Sequence, residues 1–277
     1  VNKYLKLLNF ELNRFFKIYL VLIVLTVVLQ MTAVIVECRQ YLKQANEMIY
    51  GMNASKEQFL ADYGQMSFVH IVTNGWFMWS IAICAVTLII YVFFIWYRDW
   101  FARNTFAYRL LTLPTDRINV YLAKATAIFL MVLGLISLQL ILFPVEQGIF
   151  RAMIPDDFRQ DLSTADIITF SKYLTVLFPG TLIEFVARYG AGLMVVLVLF
   201  TAILFERCYR FRGIFFGAGY CALAAGIFLS PILIEMFTEK VYLYPIERFF
   251  AEVALGLFVS GMSIFISRFL LNYKIRV

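Results

Sequence analysis

Charge is scarce in this sequence. Only 15% of its 277 residues are Asp, Glu, Lys or Arg, where a water-soluble domain carries about 25%. Histidine occurs once, as His70. Cysteine occurs four times, as Cys38, Cys84, Cys208 and Cys221, with no CxxC pair and no metal-ligand spacing. Neither a zinc site, a disulfide framework nor a haem between paired histidines follows from such a set. The nucleophile and metalloprotease signatures GxSxG, SxxK and HExxH are absent, and no glycine precedes a lysine, so there is no GxxxxGK[ST] phosphate loop. Internal repeats, low-complexity tracts and a contiguous basic groove are missing as well, which argues against a nucleic-acid partner.

Apolar side chains are plentiful. They make up 62% of the chain, with 29 Phe and 16 Tyr, and the mean hydropathy is +0.82. A soluble core cannot hide that much apolar surface, so part of it must face lipid. Six apolar runs have spanning length: 18–36, 76–97, 125–143, 189–205, 213–234 and 249–267. The chain is expected to be a single all-α transmembrane domain over residues 1–277. The first run follows Lys3, Lys6, Arg14 and Lys17 as a signal peptide would, but its length and the Val36-Glu37-Cys38 sequence read as an uncleaved anchor.

Six spans put both ends of the sequence on one side. That side collects 15 of the 24 Lys and Arg residues but only Glu11, Asp99, Asp116 and Glu206 among the acids, a net charge of +11 against −5 opposite. Positive charge is retained in the cytoplasm, so both termini are expected there, in a multi-pass protein of the cell membrane. Two outer loops are long, 37–75 and 144–180; Pro144, Pro155, Pro179 and Gly180 are expected to mark turns, and 173–178 a helix on the outer leaflet. Before the first span, Leu5, Leu8, Leu12 and Phe15 recur at helical steps, predicting an interfacial helix over about 2–17. The alternative is a direct continuation of the first span.

Candidate chemistry inside the spans is thin. Glu184 and Arg188, one helical turn apart, suit a structural ion pair. Their ExxxR spacing also occurs in intramembrane proteases, but a single histidine cannot complete such a site. The thiols Cys84 and Cys221 fall within spans, where cysteine acts as a small apolar residue. More informative is the stretch from Arg98 to Lys124 between spans two and three. It holds room for a helix of about 14 residues, a break at Pro114 and a new helix start capped by Thr115 or Asp116. Trp100, Phe101, Phe106, Tyr108, Leu110, Leu111 and Leu113 give it apolar surface on the water side, which seeks headgroups or a protein groove.

The segment Arg109-Leu-Leu-Thr-Leu-Pro-Thr-Asp-Arg117, followed by Lys124 at the mouth of a span, resembles the coupling-helix region of ABC type-2 exporter permeases. The six spans, inner termini and N-terminal interfacial helix fit that layout. The short loop Glu235–Arg248 departs from it, because the best-known members carry re-entrant helices there. The resemblance implies a permease subunit that exports an amphipathic or hydrophobic cargo, such as a peptide, antibiotic or lipid, across a bacterial plasma membrane. Its partners would be a second permease half, membrane lipid and two cytosolic ATPase subunits. ATP and Mg would sit on the ATPases, with no cofactor, metal or catalytic residue in this chain, which is therefore expected not to be an enzyme. The expected ATPase contacts are Phe106, Tyr108, Arg109, Leu110, Leu111, Leu113, Pro114 and Arg117. A non-transporting membrane anchor or sensor is the alternative.

Overall fold

The computed structural model describes residues 3–101, 115–238 and 244–274. Among them six helices are long and apolar enough to cross a bilayer: α1 (Lys3–Asn46), α4 (Gly75–Phe101), α5 (Ile118–Met153), α8 (Leu182–Tyr209), α9 (Phe211–Phe228) and α11 (Pro245–Phe269). Short helices α2 (Lys56–Tyr63), α3 (Phe68–Thr73), α6 (Thr164–Phe170), α7 (Lys172–Leu177) and α10 (Ser230–Thr238) lie in the connections, with one parallel bridge between β1 (Met66–Ser67) and β2 (Arg159–Gln160). The protein is an all-α multi-pass membrane protein at this level of description.

Three boundaries differ from the sequence expectation. Segment 2–17 is not set apart as an interfacial helix, because α1 runs unbroken for 44 residues; it contains neither proline nor glycine, so no residue interrupts its hydrogen-bond ladder. Its buried stripe begins at Leu7, Glu11 and Phe15, while Leu5 is exposed. Pro144 does not end a span either: it lies inside α5, which continues to Met153. A proline costs a helix one backbone hydrogen bond, which intramembrane helices tolerate when neighbours pack the site, and Phe143 and Phe150 on either side are buried. The expected span 213–234 is two helices. Pro231 cannot donate to the carbonyl one turn back; the Ser230 hydroxyl bonds the Ile227 carbonyl at 2.8 Å instead, and α9 gives way to α10 at Leu229.

The chain, read above as one transmembrane domain, divides by its internal contacts into two compact units. The first comprises Val1–Arg14, Leu88–Leu130 and Thr181–Val277, the second Phe15–Thr87 and Met131–Gly180. In the first unit α8 and α9 are joined through Arg210 alone, at φ 53°. They approach so closely that a Cβ at Gly213 would lie 2.1 Å from the Phe205 carbonyl oxygen, and one at Gly217 2.9 Å from that of Ala202. Only glycine permits that contact, as in other tightly packed membrane helix pairs. Met194, Val198, Ala224 and Val259 form a core between α8, α9 and α11. Beside it Thr201 bonds Ser267 at 2.9 Å, Tyr220 bonds Ser263 at 2.6 Å, and the Tyr121 hydroxyl donates to the Leu197 carbonyl at 2.8 Å.

In the second unit the hydrogen-bonded polar groups between α1, α4 and α5 are neutral. The Gln30 amide donates to Gln139 at 2.7 Å and to Ser80 at 3.0 Å, and Thr26 contacts the Cys84 sulfur at 3.1 Å. The Tyr19 ring occupies the place a side chain at Gly134 would take, its oxygen 2.2 Å from that Cβ position. Beyond these, Phe59 packs on Tyr41, Tyr63 and Phe158. The Tyr41 hydroxyl donates to the Gly64 and Phe158 carbonyls, and Lys56 pairs with Asp157. The residues counted above as the second outer loop thus include the last turns of α5. Glu146, expected in solvent, is fully buried, and neither of its carboxylate oxygens has a hydrogen-bond partner among the described residues.

Candidate functional site

Five charged side chains of the first unit converge where α1 begins, α4 ends and α5 begins. The Lys124 ammonium lies 2.7 Å from Glu11 and 2.5 Å from Asp99. The Arg14 guanidinium reaches the other oxygen of Asp99 at 2.7 Å, and Arg98 reaches the other oxygen of Glu11 at 3.3 Å. Glu11, Asp99 and Lys124 are each at most 3% exposed as side chains, whereas the two arginines retain about a fifth of their surface. Both carboxylates are therefore held from two sides by cations. Removing two acids from water is expensive, and only such multiple pairing makes it tolerable.

Each member is placed by its helix. Glu11 and Arg14 are three residues apart on α1 and lie on one face. Arg98 and Asp99 occupy the last turn of α4, and Lys124 sits in the second turn of α5, where its Nζ also donates to the Ile95 carbonyl at 3.4 Å. Aromatic rings close the site: Lys124 lies over Trp96 at 5.4 Å and Arg98 over Tyr91 at 5.7 Å. Trp96 packs edge-on against Phe200, which packs on Tyr121. Nearby, Glu206 at the end of α8 accepts from the Tyr97 hydroxyl, and Arg207 stacks on Tyr97 at 4.9 Å. Arg117 donates to the carbonyl of Leu271, just past α11, at 2.7 Å. Residues that the charge count assigns to one side thus gather at one end of the unit.

The network ties α1, α4 and α5 together through paired charges. It brings together no group of His, Cys, Asp and Glu that could hold a metal ion, and no such group occurs elsewhere among the described residues. What it does is bracket the stretch 102–114. Asp99 stands three residues before that stretch and Lys124 ten residues after it, 2.5 Å apart. Both flanks of the stretch thus meet at the same five side chains.

Of the residues singled out from sequence, Phe106, Tyr108, Arg109, Leu110, Leu111, Leu113 and Pro114 lie outside the described residues. Arg117 is described and bonds Leu271 as above. Beyond the stretch, α5 starts at Ile118, with the Asp116 carbonyl accepting from the Asn119 amide at 2.9 Å. Glu184 and Arg188 are 3.7 Å apart on the exposed first turns of α8. Glu11, Arg14, Arg98 and Asp99 were missed as a group, although one signal was present: Glu11 and Asp99 are two of the few acids on a strongly basic side, and each sits next to a span end, where an acid calls for a cation. Gln30 and Gln139 gave less warning, being single amides inside long apolar runs.

Comparison of the chain with protein-family models, with curated proteins and with solved structures finds no match.

Proposed function

We propose that this chain is the membrane-spanning subunit of an ABC-type exporter, moved by ATPase subunits that it does not itself contain. Closure of the ATPase pair around Mg-ATP presses on Phe106–Pro114, and the spans respond by opening a path for an amphipathic or hydrophobic cargo. A partner drives such a change only through differential affinity for the two states, so the segment must fit the ATPase differently in each. The observation that supports this reading is the buried Glu11–Asp99–Lys124 network. It joins both flanks of the coupling segment to the start of α1, so displacement of the segment is passed to three helices together instead of being absorbed by a loose loop.

The test is purification of the tagged chain from its native membrane, followed by assay of the eluate for vanadate-sensitive ATP hydrolysis. The wild-type chain is expected to bring ATPase activity with it. The Leu110→Asp/Leu111→Asp double variant is expected to insert normally and lose at least 90% of that activity, since an unpaired carboxylate forced into an apolar contact costs several kcal/mol. An eluate without ATPase from wild type, or equal activity from the variant, overturns the assignment.

A further inference from the structure

The first unit carries a second feature that the coupling role does not use: a groove of about 740 Å³ between the first turns of α8 and those of α11. That volume lies within the usual ligand range of about 300–1,000 Å³. Its walls are apolar, formed by Ile183, Val186, Phe228, Phe250, Val253 and Leu257, and Gly190 and Gly256 line it without a side chain. Its charged lining residues stand at one end, with Ser260 farther along α11. At the charged end Glu184 and Arg188 face the groove from α8 and Glu252 faces it from α11.

The charges at that end are unequal. Arg188 is held by Glu184 at 3.7 Å, and the single Arg248 is shared between Glu235 at 3.1 Å and Glu252 at 3.0 Å. Among the described residues that line the groove, two carboxylates, Glu184 and Glu252, thus face one guanidinium, Arg188, and Glu184 and Glu252 keep 48% and 30% of their side-chain surface open. A phosphate-headed lipid would meet an excess of like charge here, whereas an ammonium or guanidinium head would complete the pairing. We propose that the groove binds an amphipathic molecule with a cationic head and an apolar tail: the tail along Val186, Val253 and Leu257, the head between Glu184 and Glu252. That such a molecule is also the cargo rests on the exporter reading above; that it binds does not.

Photolabelling tests the site directly. The chain is placed singly in nanodiscs of zwitterionic lipid with an alkyl-diazirine trimethylammonium probe, irradiated, and mapped by peptide mass spectrometry. Saturable labelling of 182–191 and 249–260 is expected, displaced by excess alkyl trimethylammonium of the same chain length and not by the matching alkyl phosphate. Glu184→Gln/Glu252→Gln should raise the half-saturating concentration about tenfold. Gly190→Leu should abolish labelling with all charges intact, since a Cβ there meets nothing within 4 Å and the longer side chain fills the groove. Labelling that rises linearly with probe, that alkyl phosphate displaces equally well, or that vanishes when two copies share a disc overturns the proposal. ATP hydrolysis by the purified complex is a separate readout. A probe that labels the groove without changing that rate keeps the binding site and removes its identification as cargo.

Discussion

Two interior networks, one in each unit, hold polar atoms in apolar surroundings by different chemistry. In the first, Glu11, Asp99 and Lys124 are buried as ions, with Arg14 and Arg98 completing their pairing. In the second, Gln30, Ser80 and Gln139 do it with neutral amides and a hydroxyl. A buried ion stripped of its partner has no cheap alternative, so a charged network holds its geometry or fails as a whole. A neutral network forfeits only the desolvation of the groups left behind. The charged solution stands at the flanks of the stretch 102–114, and the neutral one within α1, α4 and α5.

Three substitutions sharpen this contrast, compared by unfolding in mixed micelles with rising SDS. Lys124→Met should be the most damaging, costing about 3–5 kcal/mol because Glu11 and Asp99 lose their shared buried cation. Adding Glu11→Gln and Asp99→Asn should recover most of that loss; a triple variant no better than the single one would show that packing, not charge, is at work. Gln30→Leu should cost about 1–3 kcal/mol by orphaning Gln139, and Gln30→Leu/Gln139→Leu should come back close to wild type. Equal losses in the single and double variants would contradict the pairing seen between the two amides. Glu184→Gln, at an exposed pair, should change stability by less than about 1 kcal/mol, while weakening the groove's preference for a cationic head.

Much of the fold is legible in the sequence because hydropathy over twenty residues is a strong local signal. All six expected spans overlap helices of spanning length, although the fifth is cut at Pro231. Local signals failed at the ends of helices. Pro144 reads as a terminator, yet α5 continues through it, because tertiary packing and the lack of competing water outweigh one missing hydrogen bond. The pattern Leu5, Leu8, Leu12 and Phe15 suggests an interfacial helix, whereas the buried stripe passes through Leu7, Glu11 and Phe15. A carboxylate counts as surface in any single-helix pattern, and only its cations on α4 and α5, about 90 and 110 residues away, reverse that. Asp99 and Lys124, 25 residues apart on different helices, are hidden as a pair for the same reason. Lys124 drew attention through its position after Arg117, for reasons unconnected with the ions it meets.

The joint between α8 and α9 bears on how this protein is made. One residue, Arg210, separates two helices whose backbones touch at Gly213 and Gly217. Neither can therefore reach its final setting before the other has left the ribosome: the pair must be inserted as a hairpin, and α8 remains an incomplete surface until α9 arrives. A bulky residue at Gly213 would accordingly first be felt during synthesis, as protein lost to quality control, before any assay of the finished molecule could be run.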